Sequence, residues 1–140
     1  QLLVLVDLWD GAESNFTPLR KVQSRFKEPI RMGRVHLLQG HSVEVAAELP
    51  DALFDAVYID ADHSYKAVHA DLEAFAVKLR PDGLLCGHDY GHSGVRIAVN
   101  ELLHRDLQVR WHFESGFSDF CLKRGGRGWP AASVPAAMTA

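Results

Sequence analysis

The sequence predicts an α/β protein: an open, mostly parallel sheet with helices on both faces and a C-terminal antiparallel hairpin. Three observations carry this. Short β-branched apolar runs alternate with segments whose apolar residues recur at helical spacing. Polar residues able to do chemistry gather just after the apolar runs, where ligands of parallel sheets bind. Two closing apolar runs are separated by Glu114-Ser115-Gly116, a hairpin signal.

The elements follow in order. Leu2 to Trp9 is a continuous apolar run closed by Asp7, Asp10 and Gly11, which suits a strand buried on both faces. Thr17-Pro18 forms an N-cap and first turn, and Leu19, Val22 and Phe26 share one helical face that stops before Pro29. Val35 to Leu38 is a second strand, ended by Gly40, and Ser42 caps a helix carrying Val45, Ala46 and Leu49 up to Pro50. Phe54 to Asp60 is a third strand, with Val57 and Ile59 as its β-branched members. After Asp62-His63-Ser64, Val68, Leu72, Phe75 and Leu79 recur at helical spacing until Arg80-Pro81-Asp82-Gly83 forces a turn. Gly83 to Tyr90 is the next strand, and Gly94 opens a helix with Val95, Val99 and Leu102 on one side. Leu107 to Phe113 and Phe117 to Leu122 form the hairpin.

At 140 residues, 47% hydrophobic and 24% charged, the chain can bury a core and is not disordered as a whole. A net charge of −3 offers no basic field to hold nucleic acid or an anionic membrane. No apolar run reaches the length of a membrane span. Cys86 and Cys121 sit inside strand-like runs and read as free buried thiols of a reduced compartment, hence a cytoplasmic location. The chain opens on Gln1 directly in a strand, without an initiator Met, as a piece of a longer coding sequence would.

Asp60, Asp62 and His63 crowd two carboxylates and an imidazole into four residues, and such a cluster needs a cation, a ligand amine or a proton to compensate it. Capping of the next helix accounts for one of the acids. Gly87-His88-Asp89-Tyr90 ends the neighbouring strand. Parallel strands lie ~4.8 Å apart, so Asp60, His88 and Asp89 can meet at one point and hold magnesium or manganese. Asp7 ends the first strand, where an acid accepts hydrogen bonds from ribose hydroxyls, with Trp9 beside it to cover a base. His41 can reach the same rim. His36, His69, His104 and His112 fall inside strand or helix patterns and receive no role.

In this order the residues resemble the class I S-adenosylmethionine-dependent methyltransferases, a Rossmann-like fold. The likeness is to the bacterial branch marked by Ile59-Asp60-Ala61-Asp62-His63-Ser64-Tyr65 followed by Gly87-His88-Asp89-Tyr90. It covers roughly Leu2 to Lys123 and implies an N-terminally truncated methyltransferase-like domain over residues 1–123, while the shift to Gly, Pro, Ala and Ser beyond Arg124 reads as a disordered tail over 124–140. The resemblance implies S-adenosylmethionine as cofactor, with Asp7 at its ribose, Leu8 and Trp9 near adenine, Gly40, His41 and Ser42 at the adenine edge, and Asp60 near the methyl donor. It implies Asp60, His88 and Asp89 as matching metal positions, although His88 departs from the usual acidic or amide ligand. Asp62 or His63 is then the base for a small-molecule acceptor, through O-methyl transfer. The family's first strand and its glycine-rich loop have no counterpart, so the cofactor pocket is incomplete. Its absence leaves a gap that two strands must close or a second copy must fill. Two rivals stand beside this: a metal-dependent hydrolase using the same Asp/His cluster, and a non-catalytic binding or assembly module.

Overall fold

A computed structural model describes residues 2–9, 18–105, 111–116 and 118–124. Among the described residues the elements run β1 (Leu3–Asp7), α1 (Pro18–Arg25), α2 (Lys27–Arg31), β2 (Val35–Gln39), α3 (Ser42–Glu48), β3 (Phe54–Ile59), α4 (Tyr65–Ala76), β4 (Leu79–Gly87), α5 (Ser93–Arg105), β5 (Trp111–Gly116) and β6 (Asp119–Arg124). The α/β class, the parallel pairing and the antiparallel hairpin are those the sequence predicts. The strands fall into two sheets, β1-β2 and β3-β4-β6-β5, each within one of two compact units, residues 1–48 and 49–140.

In the first unit β1 and β2 pair in parallel from Leu3↔Val35 to Asp7↔Gln39, so their carboxyl ends coincide. The helix expected to stop before Pro29 instead restarts: α2 carries Pro29 in its first turn, where a missing N–H costs nothing because no carbonyl awaits it. Ser42 is the first helical residue of α3 and not its cap, since the His41 carbonyl accepts from Val45 N–H. Thr17 lies outside the described residues.

In the second unit β3 and β4 are parallel, and β6 runs antiparallel to both β4 and β5. Leu79, expected on the last turn of α4, instead opens β4. The helix ends at Ala76, and the buried Lys78 ammonium is held by the Leu49 carbonyl at 2.9 Å and Asp51 at 2.7 Å. The expected turn at Arg80 to Gly83 is a bulge within β4: the register passes from Phe54↔Leu79 to Ala56↔Leu84, with Asp82 in the left-handed region (φ 65°). The hairpin also differs. Glu114, Ser115 and Gly116 pair with Cys121, Phe120 and Asp119, so the connection falls between Gly116 and Asp119. The polar and glycine composition of 114–116 concealed that these residues still form ladder bonds. Leu107 to Arg110 and the tail beyond Arg124 lie outside the described residues.

The core of this unit holds Leu72, Leu79, Leu85, Val99, Phe120 and Leu122, all within 1% of complete burial. Each contributes about 1.5–3 kcal/mol on transfer from water. Helices α4 and α5 pack on each other, and α4 on β3 and β4. Cys86 and Cys121 are buried as expected but are not free thiols: they face each other across β4 and β6 and are joined as a disulfide. The pair of free thiols expected of a reduced compartment is therefore not present. Among the described residues no helix is long and apolar enough to cross a membrane.

Candidate active site

Five of the expected site residues lie together at the carboxyl ends of β3 and β4. Ile59 pairs with Gly87, and the ladder runs on through the His88 N–H, which donates to the Ile59 carbonyl at 3.1 Å. Asp60 and Asp89 thus leave neighbouring strands side by side. Asp89 is held in the left-handed region (φ 58°), a conformation an Asp tolerates better than most residues but which still carries strain. Its carbonyl accepts from His92 N–H at 2.8 Å, which leads into α5.

Two glycines explain how close these pieces come. A Cβ on Gly87 would lie 2.6 Å from both the Ile59 carbonyl and the Phe120 ring. A Cβ on Gly94 would lie 2.5 Å from the His63 carbonyl and 2.8 Å from Tyr65 N. Gly94 therefore lets the first turn of α5 rest on the backbone that carries His63. Ser64 caps α4, its hydroxyl accepting from Ala67 N–H, while Asp62 takes the Ser64 N–H at 2.8 Å. Asp62 is engaged in this local turn, with its second oxygen 3.2 Å from Ser64 Oγ. Of the two residues expected as base, His63 alone turns toward the strand ends.

Donor atoms of Asp60, His63 and Asp89 all lie within 4.8 Å of one another. His63 Nε2 is 3.1 Å from Asp89 Oδ2 and 3.8 Å from Asp60 Oδ1. The shorter approach is not aligned as a hydrogen bond, and the nitrogen, shielded from solvent, has no hydrogen-bond partner among the described residues. His88, expected with Asp60 and Asp89, sits on the far side of Asp89: its Nδ1 is 3.1 Å from Asp89 Oδ2 and its Nε2 3.0 Å from Ser118 Oγ. One carboxylate oxygen thus lies between two imidazoles. The hydrogen bond to Asp89 raises His88 above the ordinary imidazole range, with the charges of Asp89, Asp119 and Asp60 adding to it against partial desolvation. His92 stacks obliquely on His63, ring centres 5.7 Å apart. Below this polar rim, Val68, Val95 and Phe120 form an apolar floor.

Three contributors were not anticipated. Tyr58 donates its hydroxyl to Asp119 at 2.9 Å; burial first, then that bond and the charges of Asp119, Asp60 and Asp89, push its phenol up to about 12. Asp119 opens β6 and Ser118 immediately precedes it. The available signal was topological: an antiparallel last strand brings its amino end to the carboxyl ends of its parallel neighbours.

In the first unit, Asp7, Leu8, Trp9, Gly40, His41 and Ser42 also share one rim, because β1 and β2 are parallel and in register. Asp7 is exposed, with Oδ1 accepting the Trp9 N–H at 2.8 Å. Trp9 adopts the left-handed region (φ 54°), and its indole N–H donates to the Leu38 carbonyl at 3.2 Å. Gln39 donates to the Leu8 carbonyl, and Gly40 N–H to the Asp7 carbonyl. The indole is thus tied back onto β2.

The sequence pattern of a methyltransferase-domain family matches residues 1–90. The chain belongs to this family. No curated protein matches the sequence. Among solved structures, a Corynebacterium glutamicum protein superposes with a TM-score of 0.69 at 18% identity, covering 90% of this chain and 62% of its own. CalS11, a TDP-rhamnose 3′-O-methyltransferase of calicheamicin biosynthesis, gives 0.62 at 18%, covering 91% and 59%. The S-adenosylhomocysteine-bound Podospora anserina methyltransferase PaMTH1 gives 0.64 at 14%, covering 89% and 61%. The methyltransferase-domain chain therefore shares their fold and spans less than two thirds of the length of each.

Proposed function

We propose that this chain is the larger part of an S-adenosylmethionine-dependent methyltransferase acting on a hydroxyl of a small molecule, with His63 as the base. The observation that carries the reading is the solvent-shielded His63 Nε2, without a hydrogen-bond partner among the described residues and facing the Asp89 and Asp60 carboxylates. Membership in the methyltransferase-domain family and the likeness to a sugar O-methyltransferase support it.

Bound S-adenosylmethionine would supply a sulfonium methyl group. The exposed Asp7 carboxylate suits ribose hydroxyls, Leu8 and Trp9 the adenine, and Gly40, His41 and Ser42 its edge. His63 would take the acceptor's hydroxyl proton through Nδ1, the ring nitrogen that does not face the carboxylates, as the new oxygen–carbon bond forms and the sulfur–carbon bond breaks. The imidazolium so formed is stabilised by Asp89 and Asp60, as a base is by a carboxylate behind it. The apolar floor excludes water from the acceptor.

Asp60, Asp89 and one imidazole are also a donor set for magnesium or manganese, which would lower the cost of an alkoxide. The converging imidazole is His63, with His88 adjacent. A hydrolase built on this cluster would need the same ion. Each unit's sheet has open edges among the described residues, and we place a second copy of the chain there as the partner that completes the sheet. The acidic net charge disfavours nucleic acid as acceptor.

Calorimetry with S-adenosylhomocysteine tests the reading: saturable heat is expected, and none at millimolar ligand sinks it. Manganese added to labelled protein should broaden the signals of His63 and Asp89 if an ion is held. Manganese-switched hydrolysis of a generic phosphoester would move the reading to the hydrolase. Sedimentation should show a dimer if a second copy completes the sheet.

A further inference from the structure

The strand order that brings β6 beside β4 gives the start of β6 a place at the site. Gly87 pairs with Phe120, and Tyr90 N–H donates to the Ser118 carbonyl at 2.7 Å, so Ser118 is fixed by backbone against the loop that carries His88 and Asp89. Its hydroxyl oxygen lies 3.0 Å from His88 Nε2. On the other edge of that ring Nδ1 is 3.1 Å from Asp89 Oδ2, and the same oxygen is 3.1 Å from His63 Nε2. These contacts form one chain from β6 to the reacting base.

The hydrogen positions follow from what each group can do. An ionised carboxylate accepts and never donates, so the His88 nitrogen facing Asp89 carries a hydrogen. In the neutral ring the other nitrogen is then an acceptor, and the Ser118 hydroxyl is the donor that satisfies it. Asp119 Oδ1, 3.8 Å from the same Nε2, is the competing group: as an acceptor it favours a hydrogen on Nε2.

We infer that Ser118 and His88 are positioning residues: Ser118 donates to His88 Nε2, which selects the Nδ1–H tautomer and holds the Asp89 carboxylate against His63. The inference rests on the reading of His63 as the base and deepens it. Asp89 needs such a restraint because its backbone is strained (φ 58°) and its side chain is about one-third exposed, so packing alone does not set its rotamer. His88 acts through Asp89 and touches no reacting atom.

The test is the tautomer. Long-range proton–nitrogen spectra of 15N-labelled protein, well above the imidazole range, identify His88 by its loss in His88→Gln. The wild type should show hydrogen on Nδ1 and a bare Nε2. Ser118→Ala should shift most of the population to Nε2–H and move the His63 nitrogen signals, and Ser118→Thr, which keeps the hydroxyl, should restore the wild-type pattern. A wild-type ring that carries its hydrogen on Nε2, or an unchanged spectrum in Ser118→Ala, overturns the inference. The wild-type spectrum decides even if Ser118→Ala does not fold. None of this requires cofactor, so absent heat with S-adenosylhomocysteine on the same sample would remove the methyl-transfer reading and leave the tautomer result standing.

Discussion

Replacing Gly94 by alanine sets helix propensity against packing. Gly94 is the second residue of α5, and in a helix alanine is favoured over glycine by about 0.8–1 kcal/mol, somewhat less in the first turn. The added Cβ, however, would lie 2.5 Å from the His63 carbonyl and 2.8 Å from Tyr65 N, where ordinary contact starts at 3.4 Å. Both neighbours are backbone, and one leads into a capped helix, so nothing can rotate away. Relief requires a displacement of just under ~1 Å, and overpacking of this kind costs about 1–3 kcal/mol. The expected net loss is about 1 kcal/mol, and with a denaturant slope of about 1–2 kcal/mol per molar the urea midpoint falls by roughly 0.5–1 M. Gly91→Ala is the control, since nothing lies within 4 Å of its added Cβ; it should stay within about 0.5 kcal/mol of wild type. Urea titration by circular dichroism measures both, and the His63 nitrogen signals should move only in Gly94→Ala. A Gly94→Ala protein as stable as wild type, with His63 unmoved, would refute the claim that α5 sets the position of the base.

Asp119→Asn should bring the Tyr58 phenol from about 12 back toward 10, and Tyr58→Phe should remove the latest step in an ultraviolet titration of the tyrosines. Because the folded value is raised, the neutral phenol's contribution to stability is complete below about 10 and is lost as pH rises through about 12. His88 is raised likewise, so its contribution is complete below the unfolded imidazole value near 6.5 and disappears as pH climbs through the folded one; Asp89→Asn should lower its midpoint in a nitrogen-detected titration. Asp51→Ala leaves the buried Lys78 ammonium the Leu49 carbonyl alone among the described residues and should cost about 1–2 kcal/mol in chemical denaturation. His63→Gln should lower methyl transfer on the order of 10²–10⁴-fold while calorimetry still registers S-adenosylhomocysteine; equal loss of binding would point to a structural role.

Much of the site was readable from local pattern. Asp60 and Asp89 follow apolar runs, and a strand's end can be placed from its own residues because burial and ladder bonding stop where charge begins. The choice among histidines was not readable. His63 and His88 have equal claims by spacing, and only the Ser64 cap, the Gly94 contact and the β4-β6 pairing turn one inward and the other toward Ser118. Asp62 shows the converse: its acceptance of the Ser64 N–H in a local turn is a property of a few residues, although the helix cap itself is Ser64 and not one of the acids as expected.

By itself the sequence determined the α/β class, the strand ends where polar residues collect and the segments shared with the methyltransferase-domain family. These are encoded by periodicity and short-range hydrogen bonding, which act over a few residues. Tertiary structure alone decided that Ser118 and Asp119 reach the site, that Cys86 meets Cys121, that Arg80 to Gly83 is a bulge, and that the strands form two sheets. Each of those depends on which strand lies beside which and in what direction, and pairing partners distant in sequence leave no mark on the local pattern of either.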